Sequence, residues 1–136
     1  MIGLLITRLT GTAPLKLVAG AADFATAAET KPAALAAAYV LPLHEAAGAN
    51  QLDCAVMQMV SVSFGIAYAV ANVADAKGKA ALTALEQVRQ AGRDKLLGWA
   101  PEGADPLEYG GGALLGFKNG VVWWQDIYTT QYLIKA

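Results

Sequence analysis

Few side chains in this sequence are of the types that carry out catalysis, and their spacing does not form a catalytic pattern. His44 is the only histidine, so a catalytic triad or a multi-histidine metal site would have to be built around that one residue. Ser61 and Ser63 alternate along an apolar run, without the Gly-x-Ser-x-Gly turn that exposes a nucleophile. These patterns favour a surface histidine and two strand serines over an active site.

The single cysteine, Cys54, limits the redox and metal chemistry open to the chain. One cysteine excludes an intrachain disulfide and any zinc site that needs several thiolates. Because Cys54 stands at the start of a strand-like apolar run, we expect a buried, unreactive thiol.

Three carboxylates, Glu102, Asp105 and Glu108, lie close together in a segment that contains proline and glycine. General acid–base catalysis requires such groups to be held rigidly, and the sequence places no orienting residue beside them, so a solvated acidic loop is the favoured interpretation. The glycine run 110–112 precedes a strand and not a helix, and it therefore lacks the helix dipole with which phosphate-binding loops work. We expect a flexible hinge or a β-bulge there.

The composition predicts a domain that assembles with a partner. The chain is long enough to bury a real core, and we assign residues 1–136 to one domain. Hydrophobic residues make up 56% and charged residues only 15%, against about 25% charged in typical soluble domains. So few charges leave apolar surface either exposed or covered by another chain, which favours an oligomer. The net charge of −1 gives no electrostatic basis for affinity to nucleic acid.

Residues 54–74 carry no charge and are numerous enough to span a bilayer. Within this run bulky side chains alternate with mostly small ones, which is the period of a β-strand and not of a helix. The N-terminal apolar stretch has no basic region before it, so it does not resemble a signal peptide. We therefore expect a soluble, cytoplasmic protein.

Hydrophobic periodicity and turn residues divide the chain into helices, strands and loops. Asn72 with Asp75 predicts the N-cap of a long amphipathic helix that ends at Gly98, and Pro42 is expected at a strand edge or end. The predicted core residues are Val60, Val62, Phe64, Leu85, Val88 and Leu96. In chain order we predict a short helix at 2–9, a short strand at 15–18, a helical turn or mobile loop at 21–30, a strand at 37–43, a loop at 44–53, a long strand at 54–71, a helix at 73–97 and a loop at 99–112.

Asn119-Gly120, between two apolar runs, predicts a β-hairpin with a type I′ turn, because both residues tolerate positive φ. Trp123 and Trp124 are adjacent on the following strand and so face opposite sides of the sheet. One of them can fill the core, while the other must be covered by a helix or by another subunit. The segments together predict an α/β (α+β) fold: a mixed, mostly antiparallel sheet of about four or five strands, packed with one long and one short helix.

The order and spacing of several segments resemble the tail terminator (tail completion) proteins of long-tailed bacteriophages and prophages, the family of the lambda minor tail protein U. The resemblance covers about residues 13–135, and no single motif in it is chemically specific. The segments that carry it are Tyr39-Val40-Leu41-Pro42-Leu43 with Glu45, Ser63-Phe64-Gly65, Asn72-Val73 with Asp75, Lys77 and Gly78, Leu96-Leu97-Gly98-Trp99-Ala100-Pro101, and Gly111-Gly112 before Trp123-Trp124-Gln125-Asp126.

The resemblance implies a subunit of a homo-oligomeric ring, a hexamer, that caps the finished tail tube and stops its polymerisation. Such a ring would lie at the head-proximal end of the virion, after assembly in the host cytoplasm, and would join the tail to a head-side connector or stopper protein. DNA would pass through its lumen only as cargo, and no membrane would be involved. An assembly family of this kind brings no catalytic, cofactor-binding or metal-binding residues. The alternative is a stand-alone module of α/β fold that binds a small molecule or a protein.

Charge patterning indicates where subunits would meet. Residues 77–95 carry three more positive than negative charges, whereas the loop from Glu102 to Glu108 carries three acids and no base. In a head-to-tail ring, opposite charges on different faces of the subunit can meet around the circle. We therefore expect an interface, with a subunit or with the tail tube, that includes Trp99, Glu102, Asp105, Glu108, Trp123 and Trp124.

Overall fold

The computed structural model describes residues 1–72 and 79–136, and within them the chain forms a five-stranded sheet with three helices. The strand order is β1-β2-β3-β5-β4; β1 and β2 are parallel, and all other neighbours are antiparallel. This α+β architecture confirms the predicted fold class. The elements are α1 Ile2–Leu9, β1 Leu17–Ala19, α2 Ala21–Glu29, β2 Ala37–Ala47, β3 Met57–Ala71, α3 Lys79–Leu96, β4 Glu108–Lys118 and β5 Val121–Lys135.

The long central strands β3 and β5 hold the sheet together. They pair in one unbroken register from Met57 opposite Lys135 to Ala71 opposite Val121. The long strand predicted at 54–71 is therefore present, as β3 Met57–Ala71. Among the described residues no helix is long and apolar enough to cross a membrane.

The hairpin between β4 and β5 turns at the predicted dipeptide. Asn119 has a φ of 53° and Gly120 a φ of 74°, which are the positive angles that a type I′ turn requires. The side-chain amide of Asn119 also donates a 2.5 Å hydrogen bond to the carbonyl of Thr30. The turn is thereby tied to the end of α2.

Helices cover both faces of the sheet. On one face α1 and α3 enclose the larger core, in which the six predicted core residues are all buried. On the other face α2 covers a smaller cluster, in which Phe24 packs against Trp123 and Tyr39. The two adjacent tryptophans of β5 thus face opposite layers, as the strand period requires.

Three sequence-based expectations were wrong in detail. His44 lies in β2 and not in a loop, because Val60 to Ser63 of the long strand β3 give residues 44–47 a partner. Glu108 begins β4 and not a loop, since it pairs with Thr129. Cys54 is exposed and not buried, because β3 begins only at Met57.

The loop before β3 has its own structural cause. The side chain of Asn50 donates to the carbonyls of Leu52 and Ala55 and accepts from the backbone N–H of Leu52 and Met57. These bonds close the loop that contains Cys54. The N-cap predicted at Asn72 depends on Asp75, which lies outside the described residues; within them, the N–H of Asn72 donates to the carbonyl of Gly120.

Candidate assembly interface

The acidic loop, residues 102–108, has a fixed backbone and free side chains. Asp105 donates its N–H to the carbonyl of Gln131 at 2.9 Å and accepts at its own carbonyl from the Thr130 hydroxyl at 2.6 Å. Leu107 is buried and donates to the carbonyl of Trp99. The carboxylates of the loop are exposed, and within residues 1–72 and 79–136 their side chains form no hydrogen bond or ion pair. The loop therefore presents three uncompensated negative charges from a defined position.

The predicted interface tryptophans are largely covered within the chain. Trp99 is half-buried, and the Arg8 guanidinium lies 5.2 Å from its ring centroid. Trp123 is buried, with the rings of Phe24 and Tyr39 at 5.5 and 5.7 Å. The free part of the predicted interface is thus the acidic loop.

Trp124 contacts a buried polar cluster that the sequence analysis did not predict. Its indole N–H donates to Asp126 Oδ1 at 2.8 Å, and the Arg89 guanidinium lies 4.3 Å from its ring centroid. Asp126 is fully buried; it accepts from Arg89 Nε at 3.2 Å and from the Tyr109 hydroxyl at 3.2 Å, and Arg89 Nη2 lies 3.1 Å away. A buried carboxylate without such partners would be strongly destabilising. The sequence signal was an acid on the same strand face as two aromatic residues, Trp124 and Tyr128.

This cluster, which we call the Asp126 cluster, fastens α3 to the edge strand β4 and to its neighbour β5, because Arg89 lies on α3, Tyr109 on β4 and Asp126 on β5. It also requires glycine at position 112 of β4: a Cβ atom there would lie 2.5 Å from Asp126 Oδ1. The glycine run 110–112 is accordingly part of β4 and not of the predicted loop 99–112. The register shifts between Tyr109 and Gly111, which agrees with the expected β-bulge and not with the expected flexible hinge.

The electrostatics of the cluster follow from burial and from the Asp126 charge. Burial lowers the pKa of the Arg89 guanidinium, but the hydrogen bond and the charge of Asp126 outweigh it, so the net shift is upward. Burial, and next the Asp126 charge, raise the pKa of the Tyr128 phenol to about 12. Burial likewise raises the pKa of Tyr68 well above its usual value. All three shifts favour the protonated side chain, which is the form suited to a structural cluster.

The C-terminal half of β4 exposes apolar side chains. Together with one residue of α3 they form what we call the apolar edge: Leu82, Leu114, Leu115 and Phe117, which are 58%, 49%, 48% and 63% exposed. Apolar grooves of about 260 Å³ flank it on both faces of the sheet. Contiguous exposed apolar surface of this kind marks interaction sites in soluble proteins.

The described residues do not bring together a set of catalytic or metal-binding groups. No three side chains among His, Cys, Asp and Glu in that part of the chain lie close enough to hold a metal ion. His44 and Cys54 are both exposed. His44 lies on β2, which β3 and β5 separate from β4, the strand that begins at Glu108. The described surface presents a charged loop and an apolar strand edge, which are features typical of protein–protein interfaces.

Comparison with known proteins agrees with this picture. No curated protein matches the chain in sequence. A chain in the solved structure titled "Virion of native gene transfer agent (GTA) particle" has the same fold, with a TM-score of 0.62 at 14% identity, over 98% of this chain and 95% of that one. The family model of the phage tail terminator protein matches residues 2–136. The chain therefore belongs to the phage tail terminator family and is a structural protein of a phage-type tail.

Proposed function

We propose that the protein forms a closed homo-oligomeric ring, a hexamer, that caps the finished tail tube and stops its polymerisation. The observation that carries the proposal is the match of the family model to residues 2–136, which we take as one tail-terminator domain. The low charge content and the apolar edge supply surface for contacts between subunits. The ring lies at the head-proximal end of the tail and assembles in the host cytoplasm.

The proposed partners are the tail tube protein on one side of the ring and a head-side connector or stopper protein on the other. DNA passes through the lumen only as cargo, which agrees with a net charge near zero. The protein acts by assembly and not by catalysis. Within the ring, the acidic loop guides register and association with a neighbouring subunit or the tube, because exposed charges steer encounter more than they add affinity.

The experiment that tests the proposal compares tails made with and without this protein. Particles that lack it should carry overlong tails in electron micrographs, and adding purified protein to growing tubes should restore a uniform length. The mass of the protein assembled on isolated tubes should correspond to six copies. Tails of normal length in its absence would refute the proposal.

A stand-alone binding module is the competing function, and one feature favours it. A groove of about 580 Å³ lies between α1 and the outer part of β2 and β3, lined by Met1, Leu43, Phe64 and Tyr132 among others. Its volume suits a small apolar ligand. A protein that stays monomeric on tail tubes and binds such a ligand in this groove would support the module.

A further inference from the structure

One row of residues crosses the whole sheet, from the edge strand β1 to the edge strand β4. In this row Val18 of β1 lies opposite Ala38, Ala38 opposite Tyr68, Tyr68 opposite Trp124, and Trp124 opposite Leu114 of β4. Val18 and Leu114 are therefore level with each other at the two edges of the sheet.

The backbone of Leu114 points away from the sheet. Val56 and Ala136 exchange two backbone hydrogen bonds, at 3.0 and 2.9 Å. Because bonded and non-bonded pairs alternate along an antiparallel ladder, even-numbered residues of β5 bond to β3 and odd-numbered ones bond to β4. Leu114 lies opposite an even-numbered residue, Trp124, so its N–H and C=O groups point outward.

The backbone of Val18 points outward at the other edge. By the same alternation Tyr68 bonds to β5 and not to Ala38, so the backbone groups of Ala38 point towards β1. In a parallel ladder a residue bonds to the two neighbours of the residue opposite it, which for Ala38 are Leu17 and Ala19. The N–H and C=O groups of Val18 are thus left on the outer side of β1.

Neither edge is protected against pairing with a further strand. The outward groups of Leu114 and Val18 have no backbone partner in the described part of the chain. Proteins usually protect such an edge with charges or proline. β1 contains neither, and β4 carries its charges only at its two ends, on Glu108 and Lys118. Each edge is therefore a template for another strand.

The side chains beside the two outward residues are apolar on both faces of the sheet. On the face covered by α1 and α3, Val18 packs against the larger core, and Leu114 lines the groove on that side. On the face covered by α2, Leu17 packs against the smaller cluster, and Leu115 lines the groove on that side. The two edges thus present matching apolar surface, and neither brings a charge to the contact.

The Asp126 cluster holds β4 in place before any partner arrives. Tyr109 is fixed by its hydrogen bonds with Arg89 and Asp126, and Gly112 packs directly on the cluster. A strand that is already ordered loses little conformational entropy when it pairs. β4 is therefore prepared as a docking edge.

We propose that β4 of one subunit pairs with β1 of the next, with Leu114 opposite Val18, so that the sheet continues from subunit to subunit. This proposal rests on the proposed ring and names its interface. β1 runs in the same direction as β5, and β4 runs in the opposite direction. A rotation about an axis along the strands therefore keeps the two residues level and makes the new pair antiparallel. Leu114 and Val18 then exchange two backbone hydrogen bonds, and Leu115 meets Leu17 on the other face of the sheet.

The form of the contact suits a ring. The two edges differ from each other, as a head-to-tail contact requires. β1 contains three residues, and a strand pair of this length buries less than the roughly 1,200 Å² of a stable interface. The contact is therefore suited to a closed ring, in which each subunit is held on both sides, and not to a free dimer.

The first test compares Leu114→Pro with Leu114→Ala in ring formation on isolated tail tubes. Both variants replace the same exposed side chain, but only proline removes the outward N–H, and an edge strand tolerates proline at such a position. Circular dichroism and size-exclusion chromatography would verify that both variants fold. We expect the proline variant to lose the ring and the alanine variant to retain it. Equal ring formation by the two variants, or equal loss, would overturn the pairing, while rings of the wild-type protein would leave the proposed function intact.

The second test uses two single-cysteine proteins, Val18→Cys and Leu114→Cys, each with Cys54→Ser, and a short bismaleimide cross-linker on tubes. We expect a cross-linked dimer only when the two proteins are mixed. The matched control mixes Val18→Cys with Leu133→Cys, which changes another exposed leucine near the far end of β5, and should give no cross-link.

Two results of the cross-linking would overturn the proposal. Cross-linking of Leu114→Cys with itself would indicate a symmetric β4 contact, and rings that give no cross-link in the mixture would show that β4 and β1 do not meet. Absence of rings from the wild-type protein would instead refute the proposed function, and the pairing with it.

Discussion

The hydroxyl of Tyr68 occupies the space that a side chain at Gly92 would fill. A Cβ atom at Gly92 would lie 1.8 Å from Tyr68 Oη and 2.9 Å from Cζ, although Gly92 lies within α3 and Tyr68 on β3. Alanine is about 1 kcal/mol more favourable than glycine inside a helix, so the close approach of helix and sheet explains the glycine. This contact sets the distance between α3 and the strands that it covers.

Gly92→Ala should therefore destabilise the protein, by roughly 1–3 kcal/mol as for other overpacked cores. Adding Tyr68→Phe removes the nearest atom but leaves Cζ close, so the double variant should recover part of the loss. Urea denaturation of the two single variants and the double variant measures the coupling. Strictly additive effects would show that the two residues do not clash.

The ion pair between Arg89 and Asp126 gives a second test. Arg89→Met leaves a fully buried carboxylate without its cation, which should cost roughly 3–5 kcal/mol of the free energy of unfolding. Adding Asp126→Asn should restore much of that loss, because an amide carries no charge to bury. If the double variant is less stable than Arg89→Met alone, the carboxylate is stabilised by groups other than Arg89.

The apolar stripe of α3 contains a matched pair of leucines. Leu85 is buried in the larger core and Leu82, one turn earlier, is exposed. Leu85→Ala should cost roughly 2–5 kcal/mol, as for other buried leucines, whereas Leu82→Ala should change stability by less than about 0.5 kcal/mol. Equal denaturation midpoints for the two variants would contradict the packing of this helix.

Local sequence signals predicted those parts of the fold whose causes are local. The Asn119-Gly120 turn depends on two residues that accept positive φ, and the β3 strand on alternation along its own length. Residues 44–47 form a strand for another reason: β3 extends far enough to pair with them. Because β3 provides a pairing partner, residues 44–47 form a strand although their small, polar composition predicted a loop.

The Asp126 cluster could not be derived in the same way, because it joins residues far apart in the chain. Arg89 reads as part of the polar face of a helix, and its partner lies 37 positions later. The placement of Asp126 between Trp124 and Tyr128 on one strand face was the available sign. An acid at an inward position of a strand requires a partner, but the sequence does not say which one.

Alkaline pH should destabilise the protein through its buried tyrosines. Burial raises the pKa of Tyr128 from 10.0 to about 12, so folding favours the protonated phenol. Its stabilising contribution is complete below pH 10 and is lost as the pH rises towards 12, by up to roughly 2–3 kcal/mol. Tyr128→Phe, which removes the titrating hydroxyl, should show a smaller fall in denaturation midpoint between pH 9 and pH 12. An identical fall would place the loss on other groups.

The acidic loop gives a test of charge in assembly that leaves the fold unchanged. Glu102, Asp105 and Glu108 are exposed, while the loop backbone is held by Gln131 and Thr130. Reversing all three carboxylates to lysine should therefore keep the monomer folded but slow or abolish ring assembly on tubes, because like charges would meet where opposite ones guide association.

The matched control for this reversal is Glu29→Lys with Asp53→Lys and Glu86→Lys, which makes the same change in net charge at exposed positions outside the loop. If both triple variants assemble slowly, net charge and not the loop is responsible. Raising the salt concentration should slow the wild type towards the rate of the loop variant, since exposed charges are screened over about 10 Å at 0.1 M ionic strength. If the loop variant terminates tails at normal length and rate, the loop faces solvent in the assembled ring and takes no part in guiding it.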